Sequence, residues 1–174
     1  GICSPIFTNV IFSGNTASSS GGAIFTAAYN QGTCTPSFTN VIFSGNCADD
    51  GGAIYNGGFS LGNLDAYFAN VVFSGNKAQS GGAIYNAGFA EGIAVTTIIN
   101  SIMWNNAASS FGPVFLNQDG VANISYSVIQ GVNNLNDASI THNIGTGTSF
   151  DAGNNKPIGT DPLFQNAPPG FDAP

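Results

Sequence analysis

Large apolar residues return along this chain with a period of 30 or 31 positions, which marks it as a repeat. Each copy opens on one of them, Phe7, Phe38, Phe68 and Ile98, and a looser copy at Ile124 arrives early, 26 residues after Ile98. The fourth residue on is Ile11, Ile42, Val72, Ile102 or Val128, and the fifth is Phe12, Phe43, Phe73, Met103 or Ile129. Between them the columns Thr8, Thr39, Ala69, Ile99 and Val10, Val41, Val71, Ser101 change character from copy to copy, as solvent-facing strand positions do. Two adjacent apolar columns break the two-residue alternation, so a bend or bulge is expected there that turns both inward. A second word follows: Gly21-Gly22-Ala23-Ile24-Phe25, Gly51-Gly52-Ala53-Ile54-Tyr55 and Gly81-Gly82-Ala83-Ile84-Tyr85, with a worn version in Phe111-Gly112-Pro113-Val114-Phe115. Aligned on spacing, the second glycine of the word falls at 22, 52, 82 and 112.

These segments are short, rich in Val, Ile and Phe, and cut every few residues by Gly, Asn or Ser, which favours strand over helix. Three strands per period are expected: the Phe-x-Asn-x-Ile-Phe stretch, the Gly-Gly-Ala-Ile-Tyr stretch, and a weaker one near 33–37, 63–67 and 93–97. A chain that presents the same residues every ~30 positions can pair each strand with its own copy one lap on, ~4.8 Å away. The expected fold is all-β, a parallel β-helix or solenoid of about 30 residues per turn and roughly five turns. Regular repeats should fill residues 1–131, an irregular last turn or cap 132–166, and a Pro-rich linker 167–174. Because Gly1 to Phe7 aligns with Gly32 to Phe38, the chain is expected to start in mid-repeat, within a longer protein.

Composition narrows the function. Charged residues are only 6% of the chain, and with two lysines, no arginine and nine carboxylates the net charge is −7. Nucleic acid and anionic membrane surfaces need basic patches and are set aside as partners. No apolar run approaches the ~20 residues of a membrane-spanning helix, so direct membrane insertion is not expected.

Two asparagine columns stand out: Asn9, Asn40, Asn70, Asn100 and Asn15, Asn46, Asn76, Asn106. At a bend an Asn side chain can satisfy backbone groups, adopt a left-handed conformation and bond the Asn of the next lap, so both columns read as structural ladders. Cys3 and Cys34 occupy matching Cys-x-Pro-x-Phe words and should stack at Cα, within disulfide range; they form either a bridge, leaving Cys47 unpaired, or a column of two buried thiols. No Cys or His spacing suits zinc, and no cofactor is implied.

Asp49-Asp50 is the one adjacent carboxylate pair, but later copies carry Gln79-Ser80 and Ser109-Ser110 there, so a solvated turn is expected and no catalytic residue is assigned. Lys77 and Lys156 are the only side-chain cations apart from the isolated His142. Aromatic residues form two further columns, Phe25, Tyr55, Tyr85, Phe115 and Tyr29, Phe59, Phe89, either packed beneath a loop or facing out as a binding strip. Trp104 takes a column held elsewhere by Ser13, Ser44 and Ser74, which suggests the outer surface, against a cap or another domain.

The paired words Phe-x-Asn-x-x-Phe-x-Gly-Asn and Gly-Gly-Ala-Ile resemble the repeats of polymorphic outer-membrane proteins, a family of bacterial surface autotransporter adhesins. Tyr126-Ser127-Val128-Ile129-Gln130-Gly131 and Asp161-Pro162-Leu163-Phe164 resemble words that end β-helical segments of large secreted surface proteins. The resemblance implies a right-handed coil, an extracellular or cell-surface location, and a non-enzymatic role in adhesion or as a rigid stalk or filament component. The implied partners are neighbouring domains of a longer chain, a glycan or other cell-surface ligand, and other copies of the chain. The alternative is a carbohydrate-active β-helix that binds or cleaves polysaccharide.

Overall fold

The computed structural model describes residues 1–130 and, as backbone, residues 149–150. Among these residues none is helical, and every strand runs parallel to its neighbours. The chain winds through three long sheets in turn, with a short fourth, Lys77–Ser80 paired with Ala107–Phe111, between the second and the third. The first holds Ile2–Cys3 and Ile6–Thr8, Thr33–Cys34 and Ser37–Thr39, Asn63–Ala69, Ile93–Ile99, Val121–Ser125 and Ser149–Phe150. The second holds Ile11–Ser13, Ile42–Ser44, Val72–Ser74, Ile102–Trp104 and Val128–Ile129, and the third Ile24–Tyr29, Ile54–Phe59, Ile84–Phe89 and Phe115–Gln118. This is a β-solenoid of about four complete laps, with the first two strands of a fifth, in place of the roughly five turns expected. Apart from the backbone of 149–150, the cap and linker expected at 132–166 and 167–174, with His142, Lys156 and Asp161 to Phe164, lie outside the described residues.

Like residues lie over like through most of the stack. Phe38 lies over Phe68 and Ile54 over Ile84, while Ile124 and Ile129 continue the columns of Ile98 and Met103. The leading phenyl rings stack face to face, Phe7 on Phe38 at 5.0 Å and Phe38 on Phe68 at 4.7 Å. The second phenyl column, Phe12, Phe43, Phe73, meets them edge-on at 5.7 Å, so the two columns brace one another along the core.

Between the first and second sheets the structure departs from the expected inward columns. Phe38 is buried, Thr39 faces out, Asn40 turns the corner, and then Val41 and Phe43 are buried while Ile42 is exposed. The column of Ile11, Ile42 and Ile102 therefore lies outside, and the changeable column of Val41, Val71 and Ser101 lies inside. The cause is the corner itself. Asn9, Asn40, Asn70 and Asn100 all have positive φ, between 49° and 58°, and one left-handed residue reverses the chain and resets the alternation by one place. The same corner ends the first-sheet strand, so the leading Phe belongs to the strand before the break: Asn63–Ala69 is continuous and Val72–Ser74 starts afresh.

The fourth lap slips by one. Ala78 pairs with Ala108 but Ser80 pairs with Phe111, a bulge that absorbs an extra residue. In consequence Phe115 stacks on Ile84 in the core, Leu116 continues the tyrosine column, and Pro113, not Gly112, stands over Gly82. Glycine is required in that column: a Cβ on Gly52 would sit 2.2 Å from the carbonyl oxygen of Gly82 in the next lap.

Candidate functional site

The most ordered polar feature is a ladder of amides inside the corner that follows the second sheet. Asn46 donates from both its backbone N and its Nδ2 to Oδ1 of Asn76, at 3.0 and 2.9 Å, and Asn76 repeats the pattern on Asn106 at 3.1 and 2.8 Å. Asn15 does the same to Asn46, and each Nδ2 from Asn46 onward also donates to a carbonyl on the preceding lap, Phe12, Phe43 or Phe73. Asn46 and Asn76 are fully buried, so the side chain closes backbone groups that the corner cannot pair. Along this ladder each Oδ1 accepts from the lap before it, while each Nδ2 between two laps donates both to the Asn of the lap after and to a carbonyl of the lap before.

A second buried ladder runs inside the third sheet. Thr26 Oγ1 donates to Asn56 Oδ1 at 2.5 Å, Asn56 Nδ2 to Thr96 Oγ1 at 3.0 Å, and Thr96 Oγ1 to Asn86 Oδ1 at 2.9 Å. Asn86 Nδ2 donates to Asn117 Oδ1 at 2.7 Å, and Asn117 Nδ2 closes on the carbonyl of Gly120. The expected ladders did not include this one. Its signal was present, since Asn56, Asn86 and Asn117 each follow a Gly-Gly-Ala-Ile-like word, but Thr26 and Thr96 hide it from an Asn count.

The column of Asn9, Asn40, Asn70 and Asn100 is different. These residues are exposed, and the side-chain bond from Asn40 Nδ2 to Asn9 Oδ1 is long at 3.3 Å; what they supply is the left-handed corner.

Aromatic columns lie on the outer face of the third sheet. Phe25, Tyr55 and Tyr85 stack at 5.2 and 5.0 Å, and Tyr29, Phe59 and Phe89 at 4.8 and 5.7 Å, nearly parallel in each case. Tyr55 and Tyr85 are buried within this outer cluster, beside Ala87 and Leu116, and Tyr85 Oη donates to Gln118 Oε1. Phe59 and Phe89 are half-buried and Tyr29 is exposed. Burial raises the hydroxyl pKa of both Tyr55 and Tyr85, with the other tyrosine and Asp50 adding to it at Tyr55 and the Asp50 and Asp119 charges at Tyr85, so neither hydroxyl ionises at neutral pH. Trp104 stacks over Ser74 on the outer face of the second sheet and is exposed.

Cys3 and Cys34 are Cα partners in the first sheet, and both are free thiols; Cys3 is exposed and Cys34 buried. Burial, with a contact from the Cys3 thiol adding to it, pushes Cys34 up to about 11. Cys47 lies exposed between Thr16 and Lys77. Asp49 accepts from Gln79 Nε2 at 2.9 Å, and Asp50 sits between Ser20 and Ser80. Burial raises the Asp50 carboxyl above its ordinary value, a bond from Ser80 lowers it in part, and Asp49 raises it. Among the described residues no three His, Cys, Asp or Glu side chains gather as metal ligands would, and no helix is long and apolar enough to cross a membrane.

A fold whose columns are given to amide ladders, stacked rings and close glycine contacts is a parallel β-solenoid built from repeats. Three of its laps match the Chlamydia polymorphic membrane protein repeat, at residues 9–27, 40–57 and 70–87. In these laps the chain is similar to that repeat, and its β-helical architecture fits a cell-surface segment. Each matched segment starts on the left-handed Asn, passes the second sheet, the ladder Asn and the glycine pair, and ends in the third sheet. Neither a curated protein nor a solved structure matched the chain.

Proposed function

We propose that this segment is a non-enzymatic, rigid stalk of a bacterial surface protein that adheres to a protein on the opposing surface through its aromatic strip. The observation that carries the reading is the Tyr29, Phe59, Phe89 column, which lies outside the main core and crosses three laps on one face. Because the rings stack along the solenoid axis within 11° and 20° of parallel, they turn their faces toward each other and their edges to solvent. Sugar rings pack on aromatic faces, whereas an edge strip suits an apolar protein surface. Rigidity comes from the two buried ladders and from sheets that pass through every lap in register.

The test is adherence of beads coated with the segment to cultured cells. Tyr29→Ser with Phe89→Ser should reduce it several-fold while far-UV circular dichroism stays that of the parent, and soluble oligosaccharides should not compete. Undiminished adherence of the double variant, or full competition by a sugar, would refute the proposal.

A further inference from the structure

The chain follows a rule at its left-handed positions and breaks it in one place. Among the described residues, every position with positive φ outside the turns that leave the third sheet carries Asn, Asp or Gly, except Tyr126 in the last, looser copy. The turns that leave the third sheet are different. They read Asn30-Gln31, Ser60-Leu61 and Ala90-Glu91, and all six residues have φ between 50° and 65°. In each, the glycine that follows donates its N–H back to the aromatic residue before the turn, Gly32 to Tyr29 O at 2.8 Å, Gly62 to Phe59 O at 2.9 Å and Gly92 to Phe89 O at 3.0 Å. A two-residue turn with both φ positive favours Asn-Gly, because a Cβ crowds the backbone there. Gln31, Leu61, Ala90 and Glu91 therefore hold their places at a cost in stability.

The core does not call for these side chains. All six residues are exposed, and Ser60 and Leu61 are so although a described lap lies on either side of them. The aromatic residue before each turn and the glycine after it repeat, while the pair between them changes from two amides, to hydroxyl and isobutyl, to methyl and carboxylate. The tips stack, Ser60 N–H donating to Phe89 O at 3.2 Å and Leu61 N–H to Ala90 O at 3.3 Å, and together they line a groove of about 380 Å³ next to the column of Tyr29, Phe59 and Phe89. Glu91 closes one end of that groove, and Asp119, also exposed, lies against Gly88 on the same lap. Among the described residues there is no arginine and one lysine, Lys77, which lies in the short fourth sheet ahead of the third.

Taking the ring column as the adhesive face, on which this rests, we infer that the three tips are its specificity-determining edge and receive an extended segment of the opposing protein that carries apolar side chains together with Lys or Arg. The apolar side chains meet Leu61, Ala90 and the edges of Phe59 and Phe89, and the cation meets Glu91 and Asp119, which makes the charges of the two surfaces complementary. The left-handed strain is the stability given up to keep recognising side chains where Asn-Gly would fold better.

The experiment gives the second and third tips the pair the turn prefers, Ser60→Asn with Leu61→Gly and Ala90→Asn with Glu91→Gly. The thermal midpoint should rise by a few degrees as the strain is removed, while adherence of the coated beads falls several-fold. Glu91→Gln alone should weaken adherence more than Asp49→Asn, which removes the same charge at the other end of the third sheet. A soluble peptide of alternating Lys and Leu should compete, and one of alternating Glu and Leu should not. A midpoint that fails to rise would show that the tips hold no strain, and parental adherence of the variant would show that their side chains are not used; either result overturns the proposal. Equal effects of Glu91→Gln and Asp49→Asn, or competition by the Glu-Leu peptide, would overturn the choice of occupant. Tyr29→Ser with Phe89→Ser, measured in parallel, separates the tips from the strip. Adherence lost in that variant but kept with Asn-Gly tips sinks the tips alone, and adherence kept in both sinks the strip and the tips together.

Discussion

Asn76 and Asn70 belong to columns that look alike in sequence, and replacing each by Leu should separate them. Asn76 Oδ1 accepts from Asn46 N and Nδ2 at 3.0 and 2.9 Å, and its Nδ2 donates to Phe43 O at 3.0 Å and Asn106 Oδ1 at 2.8 Å. Leucine has the same branched outline of four side-chain heavy atoms, is bulkier, and offers no polar atom. Three of the four partners keep another bond or a place in a ladder: Asn46 Nδ2 still reaches Phe12 O, Asn106 Oδ1 still accepts from the backbone N of residue 76, and Phe43 lies in a strand paired on both sides. The fourth, the Asn46 N–H, is stranded inside a closed corner. At about 1–3 kcal/mol for a buried group so stranded and about 0.5–1.5 kcal/mol for each of the three other bonds lost, Asn76→Leu costs about 3–7 kcal/mol, a large share of the 5–15 kcal/mol typical of a domain.

Asn70 is exposed and contributes its φ of 56°, so Asn70→Leu should cost only the left-handed penalty of about 1–2 kcal/mol. Urea unfolding followed by circular dichroism reads both, provided the slopes match the parent. Asn76→Leu within about 0.5 kcal/mol of the parent, or Asn70→Leu the more damaging of the two, would refute the assignment of the ladder.

Two further predictions concern charge and close packing. The Asp50 carboxyl titrates above its ordinary 3.8, so the folded state holds that proton more tightly than the unfolded chain does. Its favourable contribution is complete below pH 3.8 and is lost as pH rises through the folded value, leaving a charge that is a net cost at pH 7. Asp50→Asn should therefore raise the thermal midpoint at pH 7 by about a degree or two, the group being partly solvated, with the gain fading toward pH 4; a gain that grows on acidification would reverse the sign. Gly52→Ala places a methyl 2.2 Å from Gly82 O and 2.6 Å from Lys77 O, both backbone. It should destabilise by about 3 kcal/mol or more, read by the same urea titration, and an unchanged midpoint would mean that the laps are not held at this spacing.

Period, strand type and lap-to-lap stacking were legible because a fixed repeat forces like residues onto like residues, whatever their local conformation. Which way a column faces was not. The inward Val41 and outward Ile42 follow from one left-handed residue, Asn40, and hydropathy carries no record of φ. Alignment on glycine failed in the fourth lap for a related reason. Gly112 has the left-handed φ of 56° that belongs to the first glycine of the pair, like Gly81 at 66°, so the conserved feature was a conformation and not a count of residues. The ladder from Thr26 to Asn117 escaped notice because hydroxyl and amide can alternate in one chain of hydrogen bonds, Thr96 bridging Asn56 and Asn86 across the core.

Repetition also limits where specific chemistry can sit. In a uniform stack every side chain meets copies of itself, so groups of different kinds converge only where a column departs from its consensus. Lap to lap, such departures include Lys77 beside Cys47, Asp50 between Ser20 and Ser80, Trp104 over Ser74, and Pro113 over Gly82. The first sets an amine beside a thiol, and the second sets the Asp50 carboxyl between two hydroxyls with the Asp49 charge beside it. The last two change shape instead: one adds an exposed indole to a file of serines, and the other ends a file of glycines. Both lie in the fourth lap, beyond the residues that match the family repeat, with Val121–Ser125 and Val128–Ile129 stacked past them.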